Sequence, residues 1–173
     1  TKVASSGNWE NASLIYVVSH FIQSMETPYM SFLPLAASQD SSLSEAILDY
    51  GEIRKADLSE CGLVVLSGCG TGAAYTSTQI VAPSLSDAFL DAGAKTVVHT
   101  RSRVRDDEAY ELTQDFIARL AGGESPLVAL NEARRNAWQT SREDSSTAWM
   151  SYAITISEVP SKSTSRTTEA QAR

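Results

Sequence analysis

The sequence predicts an α/β fold in which helices cover a mostly parallel sheet, and three observations carry that expectation. Short β-rich runs recur at 14–18, 63–66, 95–100 and 152–156, and the first two are apolar throughout, as expected of strands covered on both faces. Between the later runs lie segments whose apolar residues repeat at helical spacing, the mark of a helix with one face on a core. Glycines and capping residues punctuate both kinds of segment, so strands and helices alternate as the crossovers of a parallel sheet require.

Taken in order, residues 1–12 are polar and at most weakly helical. Leu14, Ile15, Tyr16, Val17 and Val18 form a strand that ends in Ser19 and His20. Residues 21–42 read as loop, with Pro28, Pro34 and a Ser/Gln/Asp cluster around the short apolar piece 32–37. A helix is expected over 43–48, then a charged connector through Glu60. Leu63 to Leu66 is too short and too β-branched for a helix and reads as a strand, after which residues 67–72 hold three glycines and one thiol. Ser84, with Asp87 three positions on, opens a helix whose stripe is Leu85, Ala88, Phe89 and Ala92 and which Gly93 ends. Residues 95–100 make a third strand and 101–107 a charged loop. Leu112, Phe116 and Leu120 mark a helix that stops at Gly122 and Gly123, and Ser125 with Pro126 starts another carrying Leu130, Ala133 and Ala137 on one face. Residues 152–156 form the fourth strand. Beyond Ser157 the composition is polar with no aromatic residue, so the expected organisation is one domain over 1–157 and a disordered tail over 158–173. Sheets of this kind commonly carry about five or six strands, so further strands are expected upstream of Thr1, as in a fragment or a processed product.

A length of 173 residues suits one domain, and a net charge of −7 repels nucleic acid and anionic lipid, which leaves neutral or basic substrates as the favoured class. No apolar run approaches the ~18 residues of a membrane span, and no secretory leader is recognisable. The two cysteines, Cys61 and Cys69, lie at opposite ends of one predicted strand. At about 3.3 Å per residue they stand roughly 20 Å or more apart, beyond disulfide reach, which points to a reducing cytoplasm.

The chemistry gathers at strand ends. In open parallel sheets ligands bind at the carboxyl ends of strands, and Cys69 and His20 each follow one. A thiol and an imidazole are the pair that nucleophilic catalysis uses, the imidazole drawing the proton from sulfur and later protonating a leaving amine. His20 precedes Cys69 by 49 positions, near the spacing of about 50 in the caspase pattern. The plainer alternatives are a histidine satisfied by a backbone carbonyl and a cysteine used for packing. Asp106 leaves a strand's carboxyl end and could shape a pocket for a basic side chain, although acidic residues at 106–108 also suit a helix start. Arg101, Arg103 and Arg105 would pair with it or face water. His99 has no matching ligands around it, so no metal site is expected.

The segments Leu14 to His20, Leu63 to Gly72 with its Leu-Ser-x-Cys-x-Thr-Gly core, Ala88 to Val98, Val104 to Glu108, 123–133 and Ala148 to Ala153 resemble, in this order, the CHAT family of caspase-like cysteine peptidases. The resemblance spans about 12–157. It implies a caspase-like three-layer sandwich, with this chain its C-terminal portion, and a cysteine endopeptidase without cofactor whose base is His20 and whose nucleophile is Cys69. The backbone N–H groups of residue 21 and Cys69 would line the oxyanion hole. Protein or peptide substrates and a sensing or helical-repeat partner region are implied as well. The family usually carries Gly after the histidine and Trp in the loop after the third strand, where this chain has Phe21 and Ser102. If residue 21 must adopt positive φ to aim its N–H, a bulky side chain there costs what Gly avoids, which implies slow turnover, or an inactive interaction module. A third reading takes Gly68 to Gly72 as the glycine motif of an S-adenosylmethionine-dependent methyltransferase, against which Leu66 stands where that motif has an acid and the strand end 98–101 offers none.

Overall fold

The computed structural model describes residues 9, 11–22, 31–35, 47–73, 75–76, 81–140 and 147–157. Along the chain their elements are β1 (Leu14–Val18), β2 (Phe32–Pro34), β3 (Ile47–Asp49), α1 (Tyr50–Ile53), β4 (Leu63–Ser67), β5 (Tyr75–Thr76), β6 (Val81–Ala82), α2 (Leu85–Asp91), β7 (Thr96–Thr100), α3 (Asp106–Ala121), α4 (Pro126–Thr140), α5 (Ala148–Ser151) and β8 (Tyr152–Ile156).

The four expected strands form one sheet in the order β1-β4-β7-β8, parallel except for β8, which runs antiparallel to β7. Its centre is β4, whose residues alternate between two cores. Val64 and Leu66 pack with Val97 against Leu85, Ala88 and Phe89 of α2. Leu63 and Val65 pack with Val98 against Leu112 and Phe116 of α3 and Leu130 and Ala133 of α4. Helices therefore lie on both faces, which makes three layers. A Val or Leu buried this completely contributes about 1.5–3 kcal/mol, so the continuous apolar run at 63–66 is what a doubly covered strand needs. On β1, by contrast, Ile15 and Val17 lean on the first core while Leu14, Tyr16 and Val18 are exposed.

Local signals set the helix ends as expected. Ser84 Oγ accepts from the Asp87 N–H while the Asp87 carboxylate accepts from the Ser84 N–H, a reciprocal capping box. The α3 helix ends at a Gly122 cap, and Pro126 is the first residue of α4.

Two expectations need correction. The stretch 21–42 is not all loop, and the helix placed over 43–48 is not there at its end: β2 pairs antiparallel with β3, with Leu33 opposite Leu48, and α1 starts only at Tyr50, capped by Asp49. Both leucines are buried in the first core, and that long-range burial outweighs local helix propensity. The small pair β5-β6 and the short α5 were not anticipated either. Residues 43–46, most of 1–12 and the expected tail 158–173 fall outside the described residues. Among the described residues no helix is long and apolar enough to cross a membrane.

Candidate active site

β1 and β4 are neighbours with Val18 opposite Ser67. His20 and Cys69 each lie two residues beyond that pair, on the same carboxyl edge. The strand ends stay close past the last register pair: the Ser19 N–H reaches the Ser67 carbonyl at 3.4 Å, and a Cβ on Gly68 would overlap the Ser19 carbonyl oxygen. The unanticipated β2 steadies this edge. Ser19 Oγ donates to the Pro34 carbonyl at 2.6 Å, and Ile22 and Phe32 exchange backbone hydrogen bonds at 2.9 Å, so the segment carrying His20 and Phe21 is tied down on both sides.

His20 is exposed and Cys69 half-buried. The thiol donates to the Val104 carbonyl and accepts from the Val104 N–H, each at 3.3 Å. Among the described residues no hydrogen bond joins His20 to Cys69. Cys61 is buried under the sheet, its thiol donating to the Leu63 carbonyl at 3.5 Å, and burial pushes its pKa up. Both cysteines are free.

The turn after β4 is held by β7. Thr100, fully buried, accepts from the Gly70 N–H at 2.8 Å and donates its hydroxyl hydrogen to the Gly68 carbonyl. Its main chain continues the link, its N–H reaching Thr71 Oγ1 at 3.3 Å and its carbonyl accepting from the Gly72 N–H at 2.8 Å. Gly70 has φ of +72° and also donates to the Ser102 carbonyl at 3.2 Å. At Gly72 the His99 ring fills the place of a side chain. His99 Nε2 meets Thr155 Oγ1 at 3.0 Å, among the described residues Nδ1 has no hydrogen-bond partner, and burial first, then Arg101, pushes its pKa down. The close approaches at Gly68 and Gly72 therefore admit the chain's own carbonyl and imidazole.

Phe21 is half-buried against the first core, with a ring carbon 3.8 Å from where a Gly70 Cβ would be. Its φ is ordinary, since among the described residues Asn11 alone combines positive φ with a side chain. Asp106 is exposed at the first turn of α3, two residues beyond Val104, where the helix dipole favours a carboxylate. Arg105 pairs with Asp107 at 2.8 Å and holds the Asp107 carboxyl below its usual range. Arg101 and Arg103 are exposed, and Ser102 Oγ bonds Ser151 Oγ at 2.6 Å. Beneath the site the buried Tyr152 hydroxyl meets Ser67 Oγ at 2.9 Å, and desolvation raises the phenol to about 12. Sequence reasoning did not find Thr100, Val104 or Tyr152. The first two flank a loop leaving the carboxyl end of a strand next to β4, which is the one signal they carry.

A family model of the CHAT domain matches residues 2–157. The chain belongs to the CHAT family. That family is associated with caspase-like cysteine peptidases, and the three layers of this CHAT domain fit the caspase-like sandwich. No curated protein matches its sequence.

Proposed function

We propose that this CHAT domain is a cysteine endopeptidase in which Cys69 is the nucleophile and His20 the general base. The supporting observation is the shared strand edge: Val18 lies opposite Ser67, a Cβ on Gly68 would overlap the Ser19 carbonyl oxygen, and the next residues along the two chains are His20 and Cys69. The thiol leaves its weak sulfur bonds to Val104 and passes its proton to the imidazole. The thiolate then attacks a peptide carbonyl carbon, and the backbone N–H groups of Phe21 and Cys69 receive the developing oxyanion. Collapse breaks the C–N bond as the imidazolium protonates the amine. A water molecule, deprotonated by His20, then hydrolyses the thioester and restores the thiol. Asp106 would accept a basic substrate side chain, which fits the net charge of −7, and two free thiols suit a reducing cytoplasm. No cofactor takes part. Protein substrates, and a sensing or helical-repeat region as regulator, complete the reading.

A peptide-library digest tests it. Cys69→Ala and His20→Ala should each abolish cleavage, and His20→Ala should leave stability within about 0.5 kcal/mol because the residue is exposed. Retained cleavage in Cys69→Ala would end the proposal. One observation favours a second reading, an inactive interaction module: the thiol bonds Val104 and not His20. A chain that cleaves nothing in the digest while staying folded would establish that reading instead.

A further inference from the structure

We propose that Thr100 is the positioning residue of the nucleophile turn: its single hydroxyl holds the peptide groups on both sides of Cys69 and so keeps the sulfur against the Val104 backbone. Its catalytic meaning rests on the cysteine-peptidase reading above. The Gly68 carbonyl belongs to the peptide plane entering Cys69 and the Gly70 N–H to the plane leaving it. The φ and ψ of Cys69 are the rotations between those two planes, so a group that bonds both restrains both angles. Thr100 Oγ1 is that group, accepting from the Gly70 N–H at 2.8 Å and donating to the Gly68 carbonyl. What freedom remains is the side-chain torsion of Cys69, and the two 3.3 Å bonds to Val104 select it.

The chemistry demands a hydroxyl at this position. Thr100 itself is fully buried and its two bonds to the turn are partly buried, so the Gly68 carbonyl and the Gly70 N–H have restricted access to water if the hydroxyl is lost. One partner must donate and the other accept, which a hydroxyl does at once and an aliphatic group does not. A valine would fill the same volume, take the hydroxyl donor from the Gly68 carbonyl and leave the Gly70 N–H to its 3.2 Å bond with the Ser102 carbonyl, and the turn would shift to relieve the loss.

The test compares the wild-type chain with Thr100→Val and Thr100→Ser. Three quantities are read: amide hydrogen exchange at Gly70 and Val104 by NMR, the rate of Cys69 alkylation by iodoacetamide, and alkylation of buried Cys61 as the internal measure of global opening. In Thr100→Val, exchange at Val104 and alkylation of Cys69 should both rise roughly three- to tenfold, the effect of losing one such hydrogen bond, while Cys61 stays protected. Thr100→Ser should return both to the wild-type rate. Val104 is the informative probe, because its N–H and carbonyl hold the Cys69 sulfur. Faster exchange at Gly70 with Val104 and Cys69 unchanged would overturn the proposal. If the valine variant exposes Cys61, Thr100→Ala replaces it, and rates in Thr100→Ser equal to those in Thr100→Ala would overturn it equally. These readouts need no peptidase activity. Where the chain cleaves peptides, Thr100→Val should also lower kcat with KM little changed; a wild-type chain without cleavage defeats the peptidase reading and leaves the labelling result to decide Thr100.

Discussion

Gly72 and His99 share one volume. A Cβ on Gly72 would fall inside contact distance of three ring atoms, with Cγ at 2.6 Å, and the ring is anchored by Thr155 at 3.0 Å. Gly72→Ala should therefore overpack the site and cost about 1–3 kcal/mol, measured by urea denaturation. In a His99→Ala background the same substitution should cost far less. Equal losses in the two backgrounds would show that the glycine is needed for some other reason.

Because burial lowers the His99 pKa from its ordinary value of 6.5, protons bind the unfolded chain before they bind the folded one. The contribution of His99 to stability is fully present above about pH 6.5 and declines as pH falls below it, until the lowered folded pKa is passed. Urea midpoints should thus drop between pH 7.5 and 5 in the wild type and drop less in His99→Gln. Parallel curves for the two proteins would remove His99 as the cause.

Limiting iodoacetamide followed by peptide mapping should modify Cys69 first. Cys61 is 1% exposed, and its thiol is raised by burial, so both access and thiolate fraction are low. Preferential modification of Cys61 in the folded protein would exclude Cys69 as the reactive thiol.

Phe21→Gly should act in two directions. Removing a half-buried ring from the first core should lower stability by about 1–2 kcal/mol. Under the proposed mechanism it should also raise peptide cleavage, because Phe21 rests at ordinary φ and a turn into the positive-φ region is easier for Gly. Loss of an oxyanion donor is worth about 10²–10³ in turnover, which bounds the gain. Unchanged or lower kcat/KM with an intact circular dichroism spectrum would mean that Phe21 already presents its N–H or contacts substrate.

What the sequence alone determined follows from interactions that stay within one segment. The run Leu63 to Leu66 specifies a central strand because every side chain in it needs a covered face, whichever face that is. The Ser84 and Asp87 box and the Gly122 stop are hydrogen-bonding and backbone matters of a single helix end. The strand-end positions of His20 and Cys69 are legible for the same reason. Only the tertiary structure decided which ends meet. Leu33 and Leu48 become strands because each finds the other and a shared core, which no local period records. The turn at 68–72 looks in sequence like a cradle for a ligand, yet Ser19, His99 and Thr100 occupy its close approaches from neighbouring strands 27 to 49 residues away in sequence. The sulfur of Cys69 lies against Val104 because β7 runs beside β4 and delivers the following loop to that edge. Contacts of this kind depend on sheet order and register, which are set by burial summed over the whole molecule.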